Sequence, residues 1–147
     1  MKVLKFSTEI NATREKVWEV LWDEESYKKW IKPFSNGDLK TISDWKEGAS
    51  ITFMDSKGNG MQSKINKMSP PETMVFQHLK EIKNGEVQPS TPETKKWEGA
   101  LESYNLTEKN AITSLLVKMD TSKEHEDFFN ESFPKALKIV KDLAEEN

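Results

Sequence analysis

Residues 111–143 run AITSLLVKMDTSKEHEDFFNESFPKALKIVKDL, and the spacing of their apolar side chains changes part-way. Over Ala111 to Asp120, Thr113, Leu115, Val117 and Met119 recur every second residue, the period of a strand with one buried face. From Phe129 onward, Phe129, Phe133, Ala136, Leu137, Val140 and Leu143 recur at intervals of three and four, the stripe of an amphipathic helix. Between them, Thr121-Ser122-Lys123-Glu124 has the spacing of a capping box. Pro134 falls inside the helical stretch. It removes a backbone donor and crowds the carbonyl four residues back, which predicts a kink or break there.

The strand period recurs upstream. Leu4, Phe6 and Ile10 alternate with Lys5, Ser7 and Glu9. Ile51 and Phe53 share one face of a strand over 49–55, and Met61 to Met68 returns across the hairpin signal Ser56-Lys57-Gly58-Asn59-Gly60. Met74, Phe76, His78 and Ile82 share a face of the next strand, after a turn at Ser69-Pro70-Pro71-Glu72. Leu39 to Ile42 gives a short strand after a turn at Asn36-Gly37-Asp38. Two short helices interrupt this series, one capped by Thr13 with Val17, Trp18 and Leu21 buried, one capped by Asp23 with Tyr27, Trp30 and Ile31 on one face and Pro33 ending it. The polar stretch 83–95 is an exposed excursion. In the strand over 97–107 the alternation loses phase, Trp97 and Leu101 on one face and Tyr104 and Leu106 on the other, and a bulge near Gly99 reconciles them. Strands joined by tight turns pair antiparallel. The pattern is α+β, with one curved antiparallel sheet of about six strands around a long C-terminal helix and two short helices after the first strand.

Composition bounds the function. The 147 residues fit a single domain spanning 1–147. Leu, Ile, Val and Phe make up only about 22% of the chain, close to the range of disordered sequences. A net charge of −3, five Trp and seven Phe oppose that class. The absence of Cys excludes disulfides, thiol catalysis and Cys-ligated metals, and two His exclude a His-rich metal site, so no metal or cofactor is expected. The charge balance gives no basic footprint for nucleic acid. No apolar run approaches the roughly 18 residues of a membrane span. The N-terminus has no apolar signal segment, so the expected location is cytoplasmic.

Several stretches carry a resemblance to a known family. Glu15-Lys16-Val17-Trp18-Glu19-Val20-Leu21 followed by Tyr27-Lys28-Lys29-Trp30 resembles its opening segment, and Trp45-Lys46-Glu47-Gly48 followed by Ile51-Thr52-Phe53 its glycine turn and strand. Trp97 to Tyr104 and Glu131 to Leu137 are similar to segments of small bacterial members, with Phe133 where relatives often carry Trp. In this order they resemble the SRPBCC superfamily, also called START-like or Bet v 1-like, with its helix-grip fold, and within it the family named for the C-terminal domain of the activator of Hsp-90 ATPase. The resemblance implies an apolar cavity between the sheet and the long helix, and so a small hydrophobic molecule as partner. It also implies two alternatives, a cyclase- or aromatase-like enzyme and an interaction with a chaperone of the Hsp-90 class.

The candidate cavity residues are Trp30, Phe34, Phe53, Phe76, Trp97, Tyr104, Phe129 and Phe133, each of which also suits an ordinary core. His78 stands on an inward face, suited to hold a polar end of a ligand or to act as a base, or simply to be a hydrogen-bonded core histidine. No acidic partner for it is visible in the sequence. Glu98, Glu102 and Tyr104 share a face if their strand is regular, and the two carboxylates are assigned to the solvated side. His125, among Glu124, Glu126 and Asp127, is a surface residue. No residue is assigned as catalytic.

Overall fold

The computed structural model describes residues 1–35 and 38–146. Asn36 and Gly37 of the expected turn lie outside them. The chain runs β1 (Lys2–Ile10), α1 (Arg14–Trp22), α2 (Glu24–Trp30), α3 (Lys32–Ser35), β2 (Lys40–Ser43), β3 (Ser50–Met54), β4 (Gly60–Ser69), β5 (Thr73–Lys83), β6 (Glu86–Val87), β7 (Leu101–Lys109), β8 (Ile112–Thr121) and α4 (Glu126–Glu145). The strands form one antiparallel, open sheet ordered β1-β8-β7-β5-β4-β3-β2, with β6 paired only to β5. This exceeds the expected six or so strands, in part because the polar excursion folds back to make β6.

Local signals place the helices. Thr13 accepts a hydrogen bond from Lys16 N and opens α1, and the Asp23 carboxylate accepts from Glu25 N and Ser26 N and opens α2. Pro33 does not end α2, which stops at Trp30; it sits in the first turn of α3, where its missing N–H costs nothing. The capping box before α4 is not formed. Thr121 finishes β8, a 3-10 turn over Lys123–His125 follows, and Ser122 Oγ pairs with His125 Nδ1 at 2.8 Å instead. α4 runs unbroken through Pro134. Pro134 and Asn130, whose carbonyl loses its partner, both face solvent, so water can satisfy the freed acceptor.

α4 lies against β1 and the three short helices. Its stripe of Phe133, Ala136, Leu137, Val140 and Ala144 is buried, and Phe133 stacks on Phe6 of β1 at 4.8 Å between ring centroids. The aliphatic shortage is met by rings. Trp22 contacts Trp18, Trp30, Trp45, Phe76 and Tyr104 at centroid distances of 5.0–6.3 Å, closing one end of the core. Edge-on packing of this kind adds to the burial of area.

If docking of the α4 stripe stabilises the fold, Leu137→Ala should cost about 2–5 kcal/mol in urea unfolding, the range for a truncated buried Leu. A loss below about 0.5 kcal/mol, the size of ordinary surface substitutions, would show that the helix is not held by this face.

Candidate functional site

β5 pairs regularly with β7 from Thr73↔Asn105 to Gln77↔Leu101. At His78 the pairing changes. His78 N donates to Ala100 O at 2.9 Å, and Gly99 N donates to His78 O at 2.7 Å. Two residues therefore face one, and the first of them, Gly99, has φ +87. This is the bulge expected near Gly99, of the kind that needs glycine in the left-handed region. On the opposite side of β5 the register with β4 also slips, between Gln62↔Lys80 and Ser63↔His78, leaving Leu79 unmatched. His78 thus sits where the sheet is irregular on both flanks, between Ser63 and Ala100.

The register beyond the bulge sets which side chains turn inward. Trp97 is not a strand residue; it follows a 3-10 turn over Thr94–Lys96, and β7 begins only at Leu101. Leu101 is exposed, while Glu102, Tyr104 and Leu106 take the inward face. The assignment of Glu102 to the solvated side is thereby corrected. Glu98, expected on the same face, lies before β7 instead. Its carboxylate takes hydrogen bonds from Ser90 Oγ at 3.0 Å and Thr94 Oγ1 at 2.8 Å, and the Thr94 bond leads in holding its pKa below the usual value.

Glu102 is the acidic partner of His78 that the sequence did not reveal. Ser63 Oγ lies 2.7 Å from His78 Nδ1, and His78 Nε2 lies 2.9 Å from Glu102 Oε1. The Tyr104 hydroxyl donates to Glu102 Oε2. An ionised carboxylate only accepts, so Nε2 carries a proton, and a neutral His78 then accepts from Ser63 at Nδ1. The side chains of His78 and Glu102 are 7% and 15% exposed. Burial pushes the Tyr104 phenol well above its ordinary value, with the Glu102 charge and hydrogen bond adding to it. The Tyr27 phenol is raised in the same way, by burial first and then by Glu102.

This cluster borders an open-mouthed cavity of about 380 Å³ lined by α2, α3, β3, β4, β5, β7, β8 and the start of α4. Of the candidates, Phe34, Phe53, His78, Trp97, Tyr104, Phe129 and Phe133 line it. Trp30 and Phe76 do not. Both belong to the ring cluster around Trp22, where the core is filled, and Trp30 Nε1 donates to Leu21 O at 3.1 Å within it. Residues that the sequence reasoning did not single out for the cavity also line it, among them Tyr27, Ile31, Ala100, Met119 and Phe128. For Tyr27 and Ile31 a signal existed, the shared face of α2. His125 is exposed, as expected for a surface residue, and stands with Phe128 at the outer rim, whereas His78, Glu102 and Tyr104 lie at the inner end. Among the described residues, no cluster of three or more His, Asp or Glu suited to a metal is present.

Residues 11–144 match the family described as Activator of Hsp90 ATPase homolog 1-like protein. The chain belongs to this family. Solved structures with the same fold include the Aha1 dimer from Colwellia psychrerythraea, at 22% identity and TM-score 0.72 over 99% of this chain and 97% of that one. ChR145 from Cytophaga hutchinsonii is similar at 21% identity and TM-score 0.69, covering 99% of this chain and 94% of the other. CalU16 from Micromonospora echinospora is similar at 15% identity and TM-score 0.62, covering 95% and 71%. No curated protein matches. The α+β helix-grip architecture expected from the sequence is therefore that of the family, and no helix among the described residues is long and apolar enough to cross a membrane.

The two tyrosines are the only ones in the chain, so an absorbance titration reads the site directly. Both should ionise above the ordinary value of about 10. The folded state then keeps protons that the unfolded chain releases, so this contribution to stability is complete below pH about 10 and is lost as pH rises through the folded values. Glu102→Gln should bring both phenols down while leaving them raised, since burial is the larger cause. Two phenols titrating at the ordinary value would contradict the arrangement.

Proposed function

We propose that the chain binds a small, mainly apolar molecule in this cavity and holds the molecule's polar end at Glu102, His78 and Tyr104. The observation that carries the proposal is the pairing of a cavity of about 380 Å³, walled mostly by aromatic and other apolar side chains, with a hydrogen-bonded polar cluster at its inner end. Pockets for small molecules run upward from roughly 300 Å³ and combine apolar walls with a few placed polar groups. A carboxylate on the inward face of a sheet is costly to bury. Here its hydrogen bonds offset that cost and leave two of its roughly four lone-pair sites open.

A second reading is favoured by the same chain of hydrogen bonds. His78 and Tyr104 meet on one carboxylate instead of pointing apart, as acid–base chemistry on a bound carbonyl compound requires. Ser63 does not line the cavity and is a positioning residue that fixes the His78 ring. Glu102 would take the proton from the carbon next to the carbonyl, with His78 and Tyr104 steadying the anion.

Binding is tested with N-phenyl-1-naphthylamine, a neutral aromatic probe whose emission rises in apolar surroundings. One saturable site per chain is expected. Ala100→Leu, which adds volume to the wall, should weaken it at least tenfold without lowering the urea midpoint. The absence of a saturable site, or indifference to Ala100→Leu, would refute the binding proposal. For the second reading, α-tetralone in D2O should exchange its acidic C–H faster with the protein than with buffer, and Glu102→Gln should abolish the gain. Exchange at the buffer rate removes that reading.

A further inference from the structure

The charge of the cavity wall narrows the class of molecule. Its ionisable side chains are Glu81, Glu102 and Asp120, with His78 and His125; no Lys or Arg lines it among the described residues. Three carboxylates against two imidazoles leave the wall negative even with both rings protonated. At the inner end the imidazole of His78 stands 2.9 Å from the Glu102 carboxylate, so any charge it carries is already paired.

A second observation points to a ligand there. Tyr27 is 6% exposed, lines the cavity, and has its phenol raised by Glu102. Unlike Tyr104, it shows no side-chain hydrogen bond among the described residues, and its hydroxyl, which is not sealed from solvent, is open to a partner in the cavity. The rings of Phe53, Trp97 and Phe133 line the same cavity.

Resting on the binding reading above, we infer that the cavity takes an aromatic or alicyclic molecule bearing a protonated amine and rejects the corresponding carboxylic acid. The ammonium donates to a free lone pair of Glu102 and to the Tyr27 oxygen, while aromatic faces attract the cation. A carboxylate placed there would meet Glu102 at close range in a medium that screens poorly, with no Lys or Arg to pair with. The Glu102 carboxylate is already oriented on folding by His78 and Tyr104, so little is spent on ordering it when the ligand binds.

The test compares three probes that share a naphthalene ring and differ at the end of the side chain: 2-(1-naphthyl)ethylamine, 2-(1-naphthyl)ethanol and 1-naphthylacetate. Each is titrated calorimetrically at pH 7, with 1-ethylnaphthalene as the uncharged reference. The amine should bind about tenfold or more tighter than the alcohol, as a charge-assisted hydrogen bond provides, and the acetate should show no saturable binding. In Glu102→Gln the ratio of amine to alcohol affinity should fall about tenfold. The wild-type ranking stands as a test by itself if that variant does not fold. Affinities within threefold of one another, or the acetate binding tightest, would overturn the inference and leave the binding reading intact. Binding of 1-ethylnaphthalene alone would also overturn it, because the polar end would then have no reception. Failure of all four probes would remove the binding reading as well.

Discussion

The register of β7 against β5, regular up to the bulge at Gly99, governs the rest of the site. Side chains alternate strictly along a strand, so a one-residue slip moves every following residue to the other face. With Leu101 opposite Gln77 and Glu102 opposite the buried Phe76, Glu102 and Tyr104 turn inward and Leu101 turns out. Shifted by one residue against β5, Glu102 would lie in solvent and His78 would have no acid. Glycine is required because the first bulge position has φ +87, where a side chain is strained even though a Cβ would meet nothing closer than 3.9 Å.

A second constraint separates packed core from open cavity. Rings cluster at both ends of the concave face, but they do different work. Around Trp22 they meet edge to face and leave no room. At the other end, Phe34, Phe129 and Phe133 contact one another across α3 and α4 while Phe53 and Trp97 stand on the sheet side, and space remains between. Phe133 belongs to both jobs: one face stacks on Phe6 to dock the helix, and the residue also walls the cavity. The few aliphatics in the composition thus reflect a fold whose large side chains close the core and shape a hollow.

Much of the architecture was legible in periodicity. The switch from a spacing of two to three and four near residue 121 separates sheet from helix, and Thr13 and Asp23 mark helix starts by hydrogen bonds that the structure contains. The sequence also carries the loss of phase before Tyr104 and the glycine that resolves it. Which way the phase resolves was not legible, because Glu98 and Glu102 look alike until the bulge is placed. Nor does spacing tell a ring that fills from a ring that walls. Trp30 and Phe53 both stand on apolar faces, and only the curvature of the sheet and the position of Trp22 put the first in the core and the second at the cavity. The pairing of His78 with Glu102 joins residues 24 apart in sequence on neighbouring strands, and no local pattern encodes it.

The central claim is that the space at this end of the fold is a binding cavity whose polar end is Glu102. Intermolecular nuclear Overhauser effects from bound 2-(1-naphthyl)ethylamine test it most directly. Naphthyl protons should give contacts to the rings of Phe53, Trp97 and Phe133, and the side-chain methylene beside the ammonium should give contacts to Tyr27 and Glu102. Contacts confined to exposed residues such as Phe128, or none at saturating probe, would contradict the account.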